Sequence, residues 1–213
     1  MRRLALMDGR SVTTRPCDDG DADRIAALIA ALSPESRAMR FGMARRGLTA
    51  DEARRMAAPP GPSGAGFVAL SGGDGEDGPI LGLARYERAP GSAEGELAVA
   101  VSDAWHGLGL GTVLLRRLID RAAADGLDAL WALVRTDNHR MLRVLRSLGA
   151  ESRTPYEPGE RVLRIALGAG AGGPTAGRAR GSSPRRLRAR PDAPARRGGA
   201  ARGGTWPAGR PAP

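Results

Sequence analysis

Apolar residues at Ile25, Leu28, Ile29 and Leu32 recur every three to four positions, which predicts a helix over residues 21–32. The same spacing at Val113, Leu114, Leu118 and Ile119 predicts a longer helix over 110–124, ended by Asp125-Gly126. A third helix, capped by Asp137 and closed by Gly149, turns Met141, Leu142, Leu145 and Leu148 inward. Two shorter helices are announced by their caps. Ser33 precedes Pro34, and Thr49 has Glu52 three residues on as a capping-box partner. Period-two alternation marks strands at 96–101, where Leu97, Val99 and Val101 share a face, and at 161–167. Residues 129–134 are almost continuously apolar, as a central strand should be. Residues 67–70 and 80–86 also read as strands, and residues 4–6 and 11–15 flank Asp8-Gly9, a hairpin signal. Strands that first pair by hairpins and then pass through helical crossovers give an α/β fold: a central mixed, mostly antiparallel sheet flanked by helices on both faces.

Residues 59–64 and 71–79 are rich in glycine and proline and read as surface turns. From residue 168 onward the chain is Gly, Pro, Ala and Arg with few large apolar side chains, so it buries too little apolar surface to offset its ordering entropy. The expected organisation is one domain over 1–167 and a disordered tail over 168–213. Charge follows that division. The tail holds ten arginines and one acidic residue, Asp192, whereas the whole 213-residue chain has a net charge of +10. The domain is therefore nearly neutral; the tail reads first as a solvated extension without a partner, and an Arg-rich segment of this kind can also bind nucleic acid by charge alone. Every one of the 33 basic residues is arginine. No apolar run is long enough to span a bilayer, and the apolar start stops at Asp8, too soon for a secretory signal, so a cytoplasmic location is expected. Cys17, the only cysteine, reads as a small, half-buried residue beside a turn, and no metal-ligand spacing is present.

The stretch that carries chemistry runs from Glu96 through His106, Gly107, Leu108, Gly109, Leu110, Gly111 and Thr112. A strand enters a glycine-rich turn that opens a helix, so successive backbone N–H groups and the positive helix end converge on one spot suited to a pyrophosphate. A tight turn with no ligand is the plain alternative. The dinucleotide fingerprint is disfavoured because its third-glycine spacing is missing, and a P-loop fails because the chain has no lysine.

The His106-x-x-Gly109-x-Gly111 turn resembles the acyl-CoA-binding motif of the GNAT N-acetyltransferases. The segment from Asn138 through Leu148-Gly149-Ala150 is similar to that family's Asn-helix-Leu-Gly-Phe segment. The run Leu32-Ser-Pro-Glu-Ser36 with Met39-Arg40-Phe41 resembles the acetyltransferase domain of bacterial protein lysine acetyltransferases of the Pat type, as do Val12 to Pro16, Gly82 to Tyr86, Glu96 to Val99 and Val101 to Trp105. The resemblance implies a GNAT-like fold and transfer of an acetyl group from acetyl-CoA to an amine, a protein lysine first. A small amine, a protein N-terminus, and an acyl-CoA sensor without turnover are the alternatives. It implies Glu96 as the base that deprotonates the amine, with Glu94 as substitute if the strand starts early. A carboxylate opening an apolar strand is partly desolvated, which raises its pKa toward a useful value. The resemblance further implies that Val99, Ala100 and Val101 offer backbone groups to the pantetheine arm. Residues 106–112 would hold the pyrophosphate, and Asn138 would reach the arm unless it only caps its helix. Arg143, Tyr86 and Tyr156 are lesser candidates. Three positions depart from the pattern: His106 replaces Gln or Arg, Ala150 replaces Phe, and Leu145 stands where many members carry a tyrosine. The Pat-type members share this last departure.

Overall fold

Local signals account for most of the elements. In the computed structural model, which describes residues 1–43, 45–58, 63–71, 78–153 and 158–168, the strands are β1 (Arg2–Ala5), β2 (Ser11–Pro16), β3 (Gly64–Ser71), β4 (Ile80–Glu87), β5 (Glu94–Val101), β6 (Ala129–Arg135), β7 (Glu151–Ser152) and β8 (Glu160–Ala166). The helices are α1 (Ala22–Ala31), α2 (Pro34–Phe41), α3 (Ala50–Ala57), α4 (Leu110–Ala124) and α5 (His139–Ser147). Ser33 accepts from the Ser36 N–H to cap α2, and Thr49 and Glu52 form the reciprocal box at α3. Two expected turns prove shorter. Gly64 and Ser71 belong to β3, because Arg88 N–H bonds the Ser63 carbonyl and draws the strand outward. Residues 59–62, 72–77 and 154–157 lie outside the described residues, as does the chain from 169 on.

The eight strands form one sheet in the order β1-β2-β3-β4-β5-β6-β8-β7. Every pairing is antiparallel except β5 with β6. The connection between those two parallel strands is α4, which crosses one face of the sheet. Leu110, Leu114, Leu115 and Leu118 of α4 are fully buried against Phe67, Tyr86 and Leu130, and α5 extends the same core with Leu142 and Leu145. Each such leucine contributes roughly 1.5–3 kcal/mol. The close seat of α4 requires Gly82: a Cβ there would stand 2.9 Å from Leu114 Cδ1 and 3.3 Å from the Ala100 carbonyl.

The opposite face carries α1, α2 and α3, with Ile25, Ile29, Phe41 and Met56 packed on Val68, Leu70, Leu83 and Ala100. Two buried arginines fasten this layer. Arg15 of β2 holds Asp21, at the start of α1, through two bonds of 2.7 Å. Arg85 of β4 donates to the carbonyls of Arg55 and Met56, so a cation meets the C-terminal end of α3. Cys17 lies beneath, its thiol 3.3 Å from the Ala57 carbonyl, and burial pushes it up to about 12. It is an inert packing residue.

Candidate active site

Strands β5 and β6 pair at only three positions, ending at Glu96 opposite Trp131. Beyond that point β5 stays with β4 as far as Val101, and β6 stays with β8. A wedge opens between them. The phase of the antiparallel pairing decides which groups face it. Ser102 N–H bonds the Leu81 carbonyl at 2.8 Å, so Ala98 and Ala100 direct their backbone groups to β4, and Val99 and Val101 turn theirs into the wedge. Ala100 was expected to serve the coenzyme arm. Its N–H and C=O face Leu83 instead, and its methyl lies in the α1–α3 core.

The turn that follows is held by its own side chains. His106 Nε2 donates to the Val101 carbonyl at 2.8 Å, which fixes the proton on that nitrogen, since a carbonyl only accepts. The imidazole is thus a brace across the turn, its Nε2 edge directed at Val101. Gly107 and Gly109 adopt φ of 78° and 88°, the left-handed region that glycine enters without strain. Gly109 is the N-cap of α4 and brings no capping side chain. Val113 makes the first intrahelical bond, to the Gly109 carbonyl, so the N–H groups of Leu110, Gly111 and Thr112 have no partner one turn back. Helices α2, α3 and α5 are each closed by Ser33, Thr49 or Asn138. The 15-residue α4 alone among these four begins open, with its positive end at the mouth of the wedge. Leu108 completes the turn, its carbonyl 3.4 Å from the Met7 N–H of the first hairpin.

Across the wedge, Asn138 accepts from Met141 N–H at 3.1 Å and caps α5. Asp137, the expected cap, pairs with Arg135 at 2.6 Å. His139 and Arg143 are exposed on α5. Leu145 is sealed in the core, and Ala150 is buried beside it.

Side chains alternate along β5. Leu97, Val99 and Val101 pack toward α4, whereas Glu94, Glu96, Ala98 and Ala100 belong to the α1–α3 face. Glu96 is half-buried at the point where the strands part. Burial pushes its carboxyl above the ordinary range; the Arg40 guanidinium pulls it back, and the Glu87 carboxylate opposite it on β4 pushes it up again. Arg40, near the end of α2, is itself lowered to about 10 by burial, an effect that the Glu96 charge opposes. The strand does start early enough to include Glu94, on the same face, but Arg164 of β8 binds its carboxylate at 2.8 Å. On this face Trp131 and Leu133 of β6 belong to neither core, and Leu133 is 37% exposed.

Tyr86 is no substrate contact: it is 1% exposed under α4, its hydroxyl bonded to Asp125. Tyr156 lies outside the described residues. Trp105 is half-buried with the Arg10 guanidinium 4.1 Å from its ring centre. Among the described residues no set of three His, Cys, Asp or Glu side chains is arranged to hold a metal. Nothing in the sequence marks Arg40, Glu87 or Asp103 for a role: Arg40 lies in the Met39-Arg40-Phe41 run and Asp103 between Val101 and Trp105, and only the fold brings them to the site.

The open helix end, the two left-handed glycines and the inward Val99 backbone fit a long anionic thioester such as acetyl-CoA. Comparisons with known proteins agree. Residues 11–151 match the acetyltransferase (GNAT) domain model. Acetyltransferase PA5475 of Pseudomonas aeruginosa is 34% identical over 173 residues, 76% of this chain and 88% of that protein. The GNAT domain of S. lividans PAT superposes with a TM-score of 0.70 at 26% identity, over 78% of this chain and 96% of that one. The fold is shared with yncA of Salmonella typhimurium, solved with its cofactor acetyl-CoA, at a TM-score of 0.58 and 23% identity over 76% of this chain and 96% of that one. The chain belongs to the GNAT family of acetyltransferases, enzymes that draw their acetyl group from acetyl-CoA.

Proposed function

We propose that the protein transfers the acetyl group of acetyl-CoA to a primary amine, with protein lysine side chains as the acceptor class and Glu96 as the base. The observation that carries this reading is the position of Glu96: a half-buried carboxylate of raised pKa at the apex of the wedge, on the sheet face opposite α4. Donor and acceptor then approach from different sides. The thioester supplies an activated acyl carbon. The N–H groups of Leu110, Gly111 and Thr112 receive the pyrophosphate, Val99 N–H and C=O hold the arm amides, and Asn138 flanks it from α5. An alkylammonium with a pKa near 10.4 has to lose its proton before it attacks. Glu96 accepts that proton, directly or through a water, and the thiolate leaves unaided because its pKa is roughly 8.5. Trp131 and Leu133 offer an apolar flank to the aliphatic stem of the amine. The lysine acceptor rests on the likeness of residues 32–41 to Pat-type enzymes and on the similarity to the GNAT domain of S. lividans PAT.

The test is a steady-state assay of the wild type and Glu96→Gln with N-blocked lysine peptides, peptides with a free α-amine, and small diamines. Loss of a general base predicts a fall in kcat of about 10²–10⁴-fold with acetyl-CoA affinity retained. Turnover of diamines alone would reject the lysine acceptor, and full activity of Glu96→Gln would remove Glu96 from the mechanism.

A further inference from the structure

Between the end of β5 and the glycine turn, Asp103 reaches across to the first turn of α2. Its Oδ2 accepts the Ser33 N–H at 2.8 Å. Its Oδ1 accepts both Ser33 Oγ, at 3.1 Å, and Ser36 Oγ, at 2.5 Å. Ser33 Oγ in turn accepts the Ser36 N–H at 3.1 Å. One carboxylate therefore grips the first turn of α2 from 67 to 70 residues away in sequence. On its other side Asp103 stands 3.8 Å from His106 Nδ1, the ring whose Nε2 braces Val101.

Arg37 ties the same corner to the end of α1 by donating to the Ala30 and Leu32 carbonyls. Helix α2 lies against β5, and near its far end Arg40 acts electrostatically on Glu96. A continuous path thus runs from the glycine turn through His106, Asp103 and the two serines, then along α2 to Arg40 and Glu96.

We propose that Asp103 is a positioning residue that couples occupation of the donor turn to the seating of α2 beside Glu96. It touches no reacting atom; it acts through Ser33 and Ser36. This gives the Leu32-Ser-Pro-Glu-Ser36 run a physical role: Ser33 caps the helix and, with Ser36, supplies the three donors that Asp103 collects. An anion bound at residues 107–112 stiffens the segment that carries Asp103, and the carboxylate passes that restraint to α2. Donor binding then precedes a well-formed acceptor side. The proposal rests on the reading of the glycine turn as the coenzyme site.

Hydrogen–deuterium exchange of the full-length protein, with and without saturating CoA, tests it. Calorimetry on the same samples establishes that CoA is bound. In the wild type, CoA is expected to slow exchange of the α2 amides by about fivefold or more. Asp103→Ala is expected to bind CoA and abolish that response, and the milder Ser36→Ala to reduce it. Bound CoA with no change at α2 in the wild type, or an equal change in Asp103→Ala, overturns the coupling and leaves the donor site standing. Loss of CoA binding in Asp103→Ala alone overturns it too, because Asp103 would then belong to the donor site. Failure of the wild type to bind CoA overturns the donor-site reading itself, and the coupling with it.

Discussion

Burial and two neighbouring charges set the behaviour of Glu96. Burial raises its pKa, Arg40 lowers it and Glu87 raises it. As the proposed base it has to be ionised, so the rate is expected to rise with pH through its folded-state pKa. Arg40→Gln removes the cation that favours the carboxylate, and the acidic limb of kcat/KM is expected to move to higher pH. Glu87→Gln removes a like charge, and the limb is expected to move to lower pH. Rate–pH profiles of the two variants check both directions, and shifts of the same sign would refute the assignment. This tuning was only partly legible in the sequence. A carboxylate opening an apolar strand announces desolvation, but Arg40 lies 56 residues away and joins the site only when α2 packs on β5.

Elements hold the site through a few buried polar ties. Asp21 is fully buried and accepts from Arg15, from Arg24 at 2.7 Å and from the Asp18 N–H at 3.0 Å. Burial by itself would raise its pKa; the bonds from Arg15 and Asp18, with the charges of Arg15 and Arg24, outweigh it and hold the carboxyl below the ordinary range. Its contribution is therefore present above the unfolded-state carboxylate pKa and lost as pH falls through the depressed folded value. Asp21→Asn leaves the buried Arg15 with only the exposed Asp18 carboxylate, 3.0 Å away, as counter-charge and is expected to cost up to about 3–5 kcal/mol. Urea melts should show this loss at neutral pH, and a weaker dependence of stability on acid than in the wild type.

The helices were the most legible elements. Residues 110–124 follow from apolar spacing and an Asp-Gly stop, and both capping serine and threonine residues act as their sequences suggest. What escaped depended on partners across space. Asp137 and Asn138 are both good caps, and Arg135 decides between them by taking Asp137. Strand β7 is two residues long and exists only as the neighbour of β8. The exclusion of Ala100 from the wedge follows from pairing phase, which alternation of side chains does not reveal.

At the scale of the whole molecule, a single departure of two strands separates the glycine turn from the proposed acceptor face. The uncapped start of α4 lies on one side and Glu96 on the other. Removing the chain after Gly168 is expected to leave the acetyl-CoA titration unchanged, while any steeply salt-dependent affinity of the full chain for a DNA duplex disappears. A weakened titration would mean that the tail contributes to the site. Because the chain contains no lysine, incubation with acetyl-CoA alone is expected to place no acetyl group on a lysine of the enzyme, so transfer to an added peptide is read without that background. The central claim, that the turn at residues 106–112 receives acetyl-CoA, is tested most directly by calorimetric titration of the protein with acetyl-CoA, beside CoA and NAD. Saturable binding of acetyl-CoA and CoA, with none of NAD, is the predicted result. Binding of NAD, or of none of the three, would contradict it.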